Sequence, residues 1–280
     1  MRKFTVLMMI AILAGCAFGQ IDEDFEGVPP PPYRQIPPQH YNVRWLIDKP
    51  TAYMLPKGSF DLDFKTFPGG GVQAAINIGL ANRFNIGLAY GGSSILSEDT
   101  PEWNPRMEFN LRYMLLEQYS SIPQVAIGFG SAGYGLYQEK DTTMGYKEDR
   151  YLVKAPGFYI SFSKEYPIYT SYLSLHGGMN YSLESDVDSD PNFYIGSLIH
   201  LGYDMVFLAE YDFAINDNSK AGIFGRGRGY LNFGVAWYIT DELQIELDFR
   251  NVLLNRRSAT DQDLVLDREV RLVYLQFFTD

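Results

Sequence analysis

Leu231-Asn-Phe-Gly-Val-Ala-Trp237 and Leu243-Gln-Ile-Glu-Leu-Asp-Phe-Arg250 alternate without a break. Leu231, Phe233, Val235 and Trp237, then Leu243, Ile245, Leu247 and Phe249, fall on one face; Asn232, Gly234, Gln244, Glu246, Asp248 and Arg250 fall on the other. A period of two is the signature of a strand with one apolar face. The short link between them, 240–242, makes the pair a hairpin.

The same pattern extends in both directions. Phe60, Leu62 and Phe64 oppose Asp61, Asp63 and Lys65, and Phe109, Leu111 and Tyr113 oppose Glu108, Asn110 and Arg112. Leu173, Leu175, Met179 and Tyr181 oppose Ser174, His176 and Asn180, and Phe207, Ala209, Tyr211 and Phe213 oppose Glu210 and Asp212. About twelve segments of about 8 to 12 residues emerge, the length that a tilted bilayer-spanning strand requires. Short links near 81–83, 117–121, 165–169, 202–204 and 240–242 alternate with longer polar stretches near 93–105, 138–150, 184–192, 216–224 and 255–267. Outer-membrane barrels connect their strands in this way, with short periplasmic turns and longer outer loops. The expected fold is all-β: a transmembrane antiparallel up-and-down β-barrel of about twelve strands over 57–280, with both termini periplasmic. Tyr90, Tyr113, Tyr172, Tyr181, Tyr211, Trp237 and Tyr274 fall near segment ends, where interfacial aromatic girdles belong. The closing Phe277-Phe278 resembles the aromatic end that the bacterial barrel-insertion machinery recognises, although Thr279 and Asp280 follow it.

Arg2 and Lys3, the apolar run 4–13 and the small residues after it form a secretory signal over 1–19. Two processing sites overlap: Leu13-Ala14-Gly15-Cys16 resembles a lipobox that would lipidate Cys16, and Ala17-Phe18-Gly19 resembles an ordinary signal-peptidase site. Cys16 is the sole cysteine, so the mature fold has no disulfide, thiol nucleophile or cysteine-based zinc site. Residues 20–56 read as a Pro-rich periplasmic leader, carrying Pro29 to Pro32, Pro37 and Pro38. A docking segment and a luminal plug are the other readings. Trp45, Leu46, Ile47, Pro50 and Tyr53 make its end more apolar, suited to packing against the body that follows. The net charge of −11 disfavours nucleic acid and anionic membrane surfaces.

Glu108-Phe-Asn-Leu-Arg-Tyr-Met-Leu-Leu, Ile122-Pro-Gln-Val-Ala-Ile-Gly-Phe-Gly-Ser-Ala-Gly-Tyr-Gly, Gly157-Phe-Tyr-Ile-Ser-Phe-Ser-Lys164 and Leu175-His-Gly-Gly resemble barrel segments of YjbH-type outer-membrane proteins. The resemblance covers about a quarter of the chain, rests on strand and turn patterns, and implies a lipoprotein linked to exopolysaccharide. This chain is much shorter than that family, and no site residue carries over.

The inward charges Glu108, Arg112, Glu210, Asp212, Glu246, Asp248 and Arg250 are the candidate lumen and selectivity residues. Arg226 and Arg228 share their parity, and are expected either to pair with Glu210 or Asp212 or to form a patch guiding anionic sugars or other solutes. Asp186, Asp188 and Asp190 offer oxygens at alternate positions, a weak calcium candidate without the glycine and distal glutamate of an EF-hand. Ser174, His176 and Asn180 suggest the triad of a lipid hydrolase, but residues on one strand face are about 7 or 14 Å apart, too far for a relay. The expected role is therefore non-enzymatic and without a cofactor: a narrow passive channel or accessory barrel for envelope polysaccharide or solutes. The alternative is a closed structural or adhesive barrel. The expected partners are outer-membrane lipid, the insertion machinery, and an anionic polysaccharide or small solute.

Overall fold

The computed structural model describes residues 43–278 apart from 120, 141–147, 169–170, 203, 219–224 and 256–265. The strands are β1 (Ser59–Phe67), β2 (Gly71–Ala81), β3 (Phe84–Ser93), β4 (Glu102–Trp103), β5 (Glu108–Leu116), β6 (Gln124–Gly130), β7 (Tyr134–Gln138), β8 (Arg150–Val153), β9 (Gly157–Ile168), β10 (Ser171–Tyr181), β11 (Asn192–Leu201), β12 (Met205–Asp212), β13 (Tyr230–Tyr238), β14 (Leu243–Arg250) and β15 (Asp267–Phe277). Each long strand pairs antiparallel with its neighbours, and β1 pairs with both β2 and β15, while β2 pairs with β3. The sheet therefore closes on itself as a twelve-strand antiparallel barrel. Closure leaves no unpaired edge, as a backbone crossing lipid requires.

The alternation sets two surfaces. Phe64, Phe109, Leu111, Phe158, Trp237 and Leu247 point outward and stay exposed, an apolar exterior far beyond what a soluble protein shows. Tyr90, Tyr113, Tyr181, Trp237 and Tyr274 lie exposed on that exterior, as the girdle reading anticipates. Asp61, Asp63, Glu108, Arg112, Glu210 and Glu246 point inward and are buried. An apolar band around a charged interior makes this an outer-membrane barrel.

Two parts depart from the expectation. The connection between β6 and β9, 131–156, contains the hairpin β7–β8, which pairs only with itself. Strands of 5 and 4 residues cannot cross a bilayer, and this hairpin instead covers the long-loop end of the barrel. Of the segment read as a leader over 20–56, the described part, 43–56, is folded into the lumen. Val43, Leu46, Ile47, Ala52 and Leu55 are all buried there. The signal and Cys16 lie outside the described residues.

Candidate functional site in the barrel lumen

Residues 43–56 enter beside the short-turn end, climb the lumen, turn and descend. Trp45 and Pro50 form an antiparallel bridge, Leu46 N–H donates to Lys49 O at 2.9 Å, and Thr51 N–H donates to Arg44 O at 2.9 Å. The turn at 46–49 is thus a closed tip. At the base, Leu55 N–H donates to Asn85 Oδ1 at 2.8 Å while Asn85 Nδ2 donates back to Leu55 O at 3.1 Å. Arg44 pairs with Asp61 near the same end.

The tip is gripped by charge. Ile47, Asp48 and Lys49 aim their backbone N–H groups at one carboxylate oxygen, Glu210 Oε2, at 3.1, 2.9 and 2.8 Å. Three successive N–H groups converging on an anion form a nest, and bonds to an ionised acceptor are the strong kind. Lys49 Nζ lies 2.8 Å from Asp212 Oδ2. Burial opposes the Lys49 charge, but Asp212 outweighs it and raises the ammonium pKa. Asp48 pairs with Arg250, whose guanidinium also meets Glu269 and sits over the Tyr134 ring of the β7–β8 hairpin.

Apolar contact seats the same tip. Val43, Leu46, Ile47 and Tyr53 form one buried cluster with Tyr194, Leu198, Val206, Leu208, Ala236 and Tyr238 of β11, β12 and β13. Gly196 makes the approach feasible, because a Cβ there would lie 2.5 Å from Leu46 Cδ1. Further down, Ser161 Oγ donates to Thr51 O at 3.0 Å, Ala52 N–H donates to Ser163 Oγ at 2.8 Å, and Tyr194 OH donates to Pro50 O at 2.8 Å. Arg112 donates to Arg44 O and Tyr53 O at 3.0 and 2.7 Å and lies over Trp45.

The hairpin forms a second closure. Arg150 meets both oxygens of Asp217, at 2.7 and 3.1 Å, and Tyr151 OH donates to Glu108 Oε1 at 2.9 Å. Glu184, in the connection 182–191, accepts Tyr151 N–H and Ala155 N–H. Burial pushes its carboxyl up to about 7 despite those two bonds.

The structure thus employs most of the inward candidates as internal ties. Glu210, Asp212, Arg112 and Arg250 hold residues 43–56, and Glu108 holds the hairpin. Glu246 accepts from Gln244 at 2.8 Å and faces Arg271 at 3.5 Å. Asp248 is buried, and neither of its oxygens has a hydrogen-bond partner among the described residues.

Arg226 and Arg228 do not behave as expected. β13 begins only at Tyr230, and Gly227 and Gly229 adopt φ of +73° and +72°, which breaks the parity that would have aimed them inward. Their backbone N–H groups donate to Asn255 Oδ1, and Arg228 Nη1 donates to Leu253 O. Neither pairs with Glu210 or Asp212, which residues 43–56 already occupy.

The calcium reading fares similarly: Asp186 faces Lys140 at 3.8 Å, and Asp188 Oδ2 accepts Asn218 N–H. Among the described residues no group of three or more His, Cys, Asp or Glu is placed to hold a metal ion. His176 bonds Ser163 on the adjacent strand at 2.8 Å, rather than Ser174 or Asn180, and Tyr53 covers it edge-on.

Leu46, Ile47 and Lys49 are the site residues that strand parity alone misses. The signal for them lies on β12, where Val206 and Leu208 are apolar on the inward face as well. An apolar stripe inside a polar lumen requires a cover. Against the opposite wall a cavity of about 70 Å³ remains, bounded by Trp45, Lys65, Gln73, Ala75, Asn77 and Asn110 among others.

No protein-family model matches the chain, nor does any curated protein, so the YjbH-type resemblance gains no support. Among solved structures it is similar to the KdgM porin, at 9% identity and a TM-score of 0.44, over 79% of this chain and 99% of that one. It is also similar to the NanC porin, at 10% identity, TM-score 0.43, and 79% and 100% coverage. Omp33 of Acinetobacter baumannii matches at 8% identity, TM-score 0.42, and 79% and 97% coverage.

Proposed function

We propose that this protein is a narrow outer-membrane channel for small solutes, held shut by its own residues 43–56. The supporting observation is how the lumen is filled. Wall side chains do not close it; residues 43–56 fill the lumen beneath the β7–β8 hairpin, and both can move away without breaking any strand pairing of the barrel. A barrel of about twelve strands lies between the filled eight-stranded kind and the open sixteen-stranded porins, so its bore depends on what occupies it.

Single-channel recording in lipid bilayers tests the reading on the full mature chain and on Glu210→Ala, which removes the acceptor of three N–H bonds. The expected result is rare brief openings for the parent and sustained discrete steps for the variant. A variant that folds yet passes no current overturns the channel reading. It would instead support the closed structural or adhesive barrel, which the buried apolar seat of Leu46 and Ile47 favours.

A further inference from the structure

The wall formed by β14, β15 and β1 carries an excess of negative charge. Asp61, Asp63, Glu246, Asp248, Asp267 and Glu269 face inward from these three adjacent strands, against Lys65, Arg250 and Arg271. Arg271 serves two of the acids, bonding Asp63 with two nitrogens at 2.9 and 2.7 Å and facing Glu246 at 3.5 Å. Arg250 is divided between Glu269 and Asp48 of the inserted loop. Asp248 sits directly opposite Glu269 in register, is 2% exposed, and has two oxygens without a hydrogen-bond partner; Glu269 Oε1 has none either. Opposed carboxylates with unused oxygens in a buried place are costly unless positive charge reaches them.

Residues 43–56 bring both signs into the lumen: Asp48 takes up part of Arg250, while positive groups meet carboxylates of β1 and β12. Arg44 covers Asp61, Lys49 covers Asp212, and three N–H groups cover Glu210. When the loop leaves, these three carboxylates face an aqueous lumen in addition to Asp248. Among the described residues the wall cations left behind are Lys65, Arg112, Arg250 and Arg271, of which Arg271 remains on its acids and Arg250 on Glu269. An aqueous pore lined by excess carboxylates concentrates cations and repels anions.

We propose that the opened lumen selects small cations over anions, and that Asp248 and Glu269 on the β14–β15 wall are the residues that set this preference. The proposal rests on the channel reading and names the solute class for that same lumen.

The test measures the reversal potential in a potassium chloride gradient for Glu210→Ala alone and with Asp248→Asn or Asp248→Asn/Glu269→Gln added. The expected cation-over-anion permeability is about fivefold, falling towards one as the carboxylates are removed. An anion preference, or a cation preference unchanged by both substitutions, overturns the proposal and leaves the channel reading standing. If no variant conducts, the channel reading fails and a second measurement decides the cation site. The Glu210→Ala barrel should melt higher in sodium chloride than in N-methylglucamine chloride of equal ionic strength, and Asp248→Asn should abolish the difference. Equal melting in both salts before Asp248 is changed overturns the site as well.

Discussion

The lumen has two unlike walls. Along β11 to β13 the inward face carries Tyr194, Leu198, Val206, Leu208 and Ala236, all buried against residues 43–56, with Glu210 and Asp212 as the charged anchors at the tip. Along β2, β3 and β5 it carries Gln73, Ala75, Asn77, Ala89 and Asn110, small or amide side chains facing a cavity. The first wall is complementary in shape and charge to one particular loop; the second offers the loop no large apolar side chain and ties it through the polar groups of Asn85 on β3 and Arg112 on β5. Complementarity on one side alone suits a closure that must be both specific and removable.

The largest effect should come from the anchor. Glu210→Ala orphans three buried N–H groups and leaves Lys49 with Asp212 alone, a loss of about 3 kcal/mol or more. Thiol labelling of an Ile47→Cys reporter should then accelerate about a hundredfold. Labelling as slow as in the parent would mean that apolar contact alone holds the loop. A smaller effect is expected at Gly196, where even one methyl group meets Leu46. Gly196→Ala should weaken the seat by about 1–3 kcal/mol, and Leu46→Val on the same chain should recover part of that loss. Additive losses would show that the two positions do not press on each other.

How much of this is legible in the sequence differs between wall and filling. The strands are legible because lipid on one side and charge on the other impose a period of two on every segment, from Phe60 to Phe277. Glu210, Asp212 and Arg112 are legible as inward charges for the same reason. Their partners are not, because Glu210 and Lys49 are 161 residues apart and nothing local records that contact. Proline density makes a leader the first reading of 20–56, while the apolar end with Trp45, Leu46, Ile47 and Tyr53 is legible as a packing segment but not as to where it packs. Arg226 and Arg228 mislead because parity holds only while the chain stays extended, and Gly227 and Gly229 end that extension before β13 begins.

The hairpin closure offers an effect of intermediate size. The Glu184 carboxyl, ordinarily near 4.5, stands at about 7 in the folded protein because it is buried. Its proton is therefore held more tightly in the folded state, and its contribution is fully present below about pH 4.5 and lost as pH rises through 7. Hairpin opening, read as thiol labelling of Val153→Cys relative to a free-thiol control, should increase by at most about tenfold per pH unit between about pH 4.5 and 7 and level off above 7. Glu184→Gln should flatten that profile, whereas labelling of Ile47→Cys should follow pH only if the two closures are tied through Arg250.

The smallest effect belongs to the second wall and is the sharpest test of the contrast. Ala89 lies on the inward face of β3 at the cavity, where a larger side chain has space that position 196 lacks. Ala89→Leu should therefore change barrel stability by no more than about 0.5 kcal/mol and leave the labelling of Ile47→Cys unchanged within about twofold. It should nevertheless narrow the passage, lowering the step size recorded in the Glu210→Ala background without altering how often steps occur. If Ala89→Leu instead released the loop as Gly196→Ala does, both walls would be packed against it. The closure would then depend on the whole circumference of the lumen rather than on the β11–β13 face.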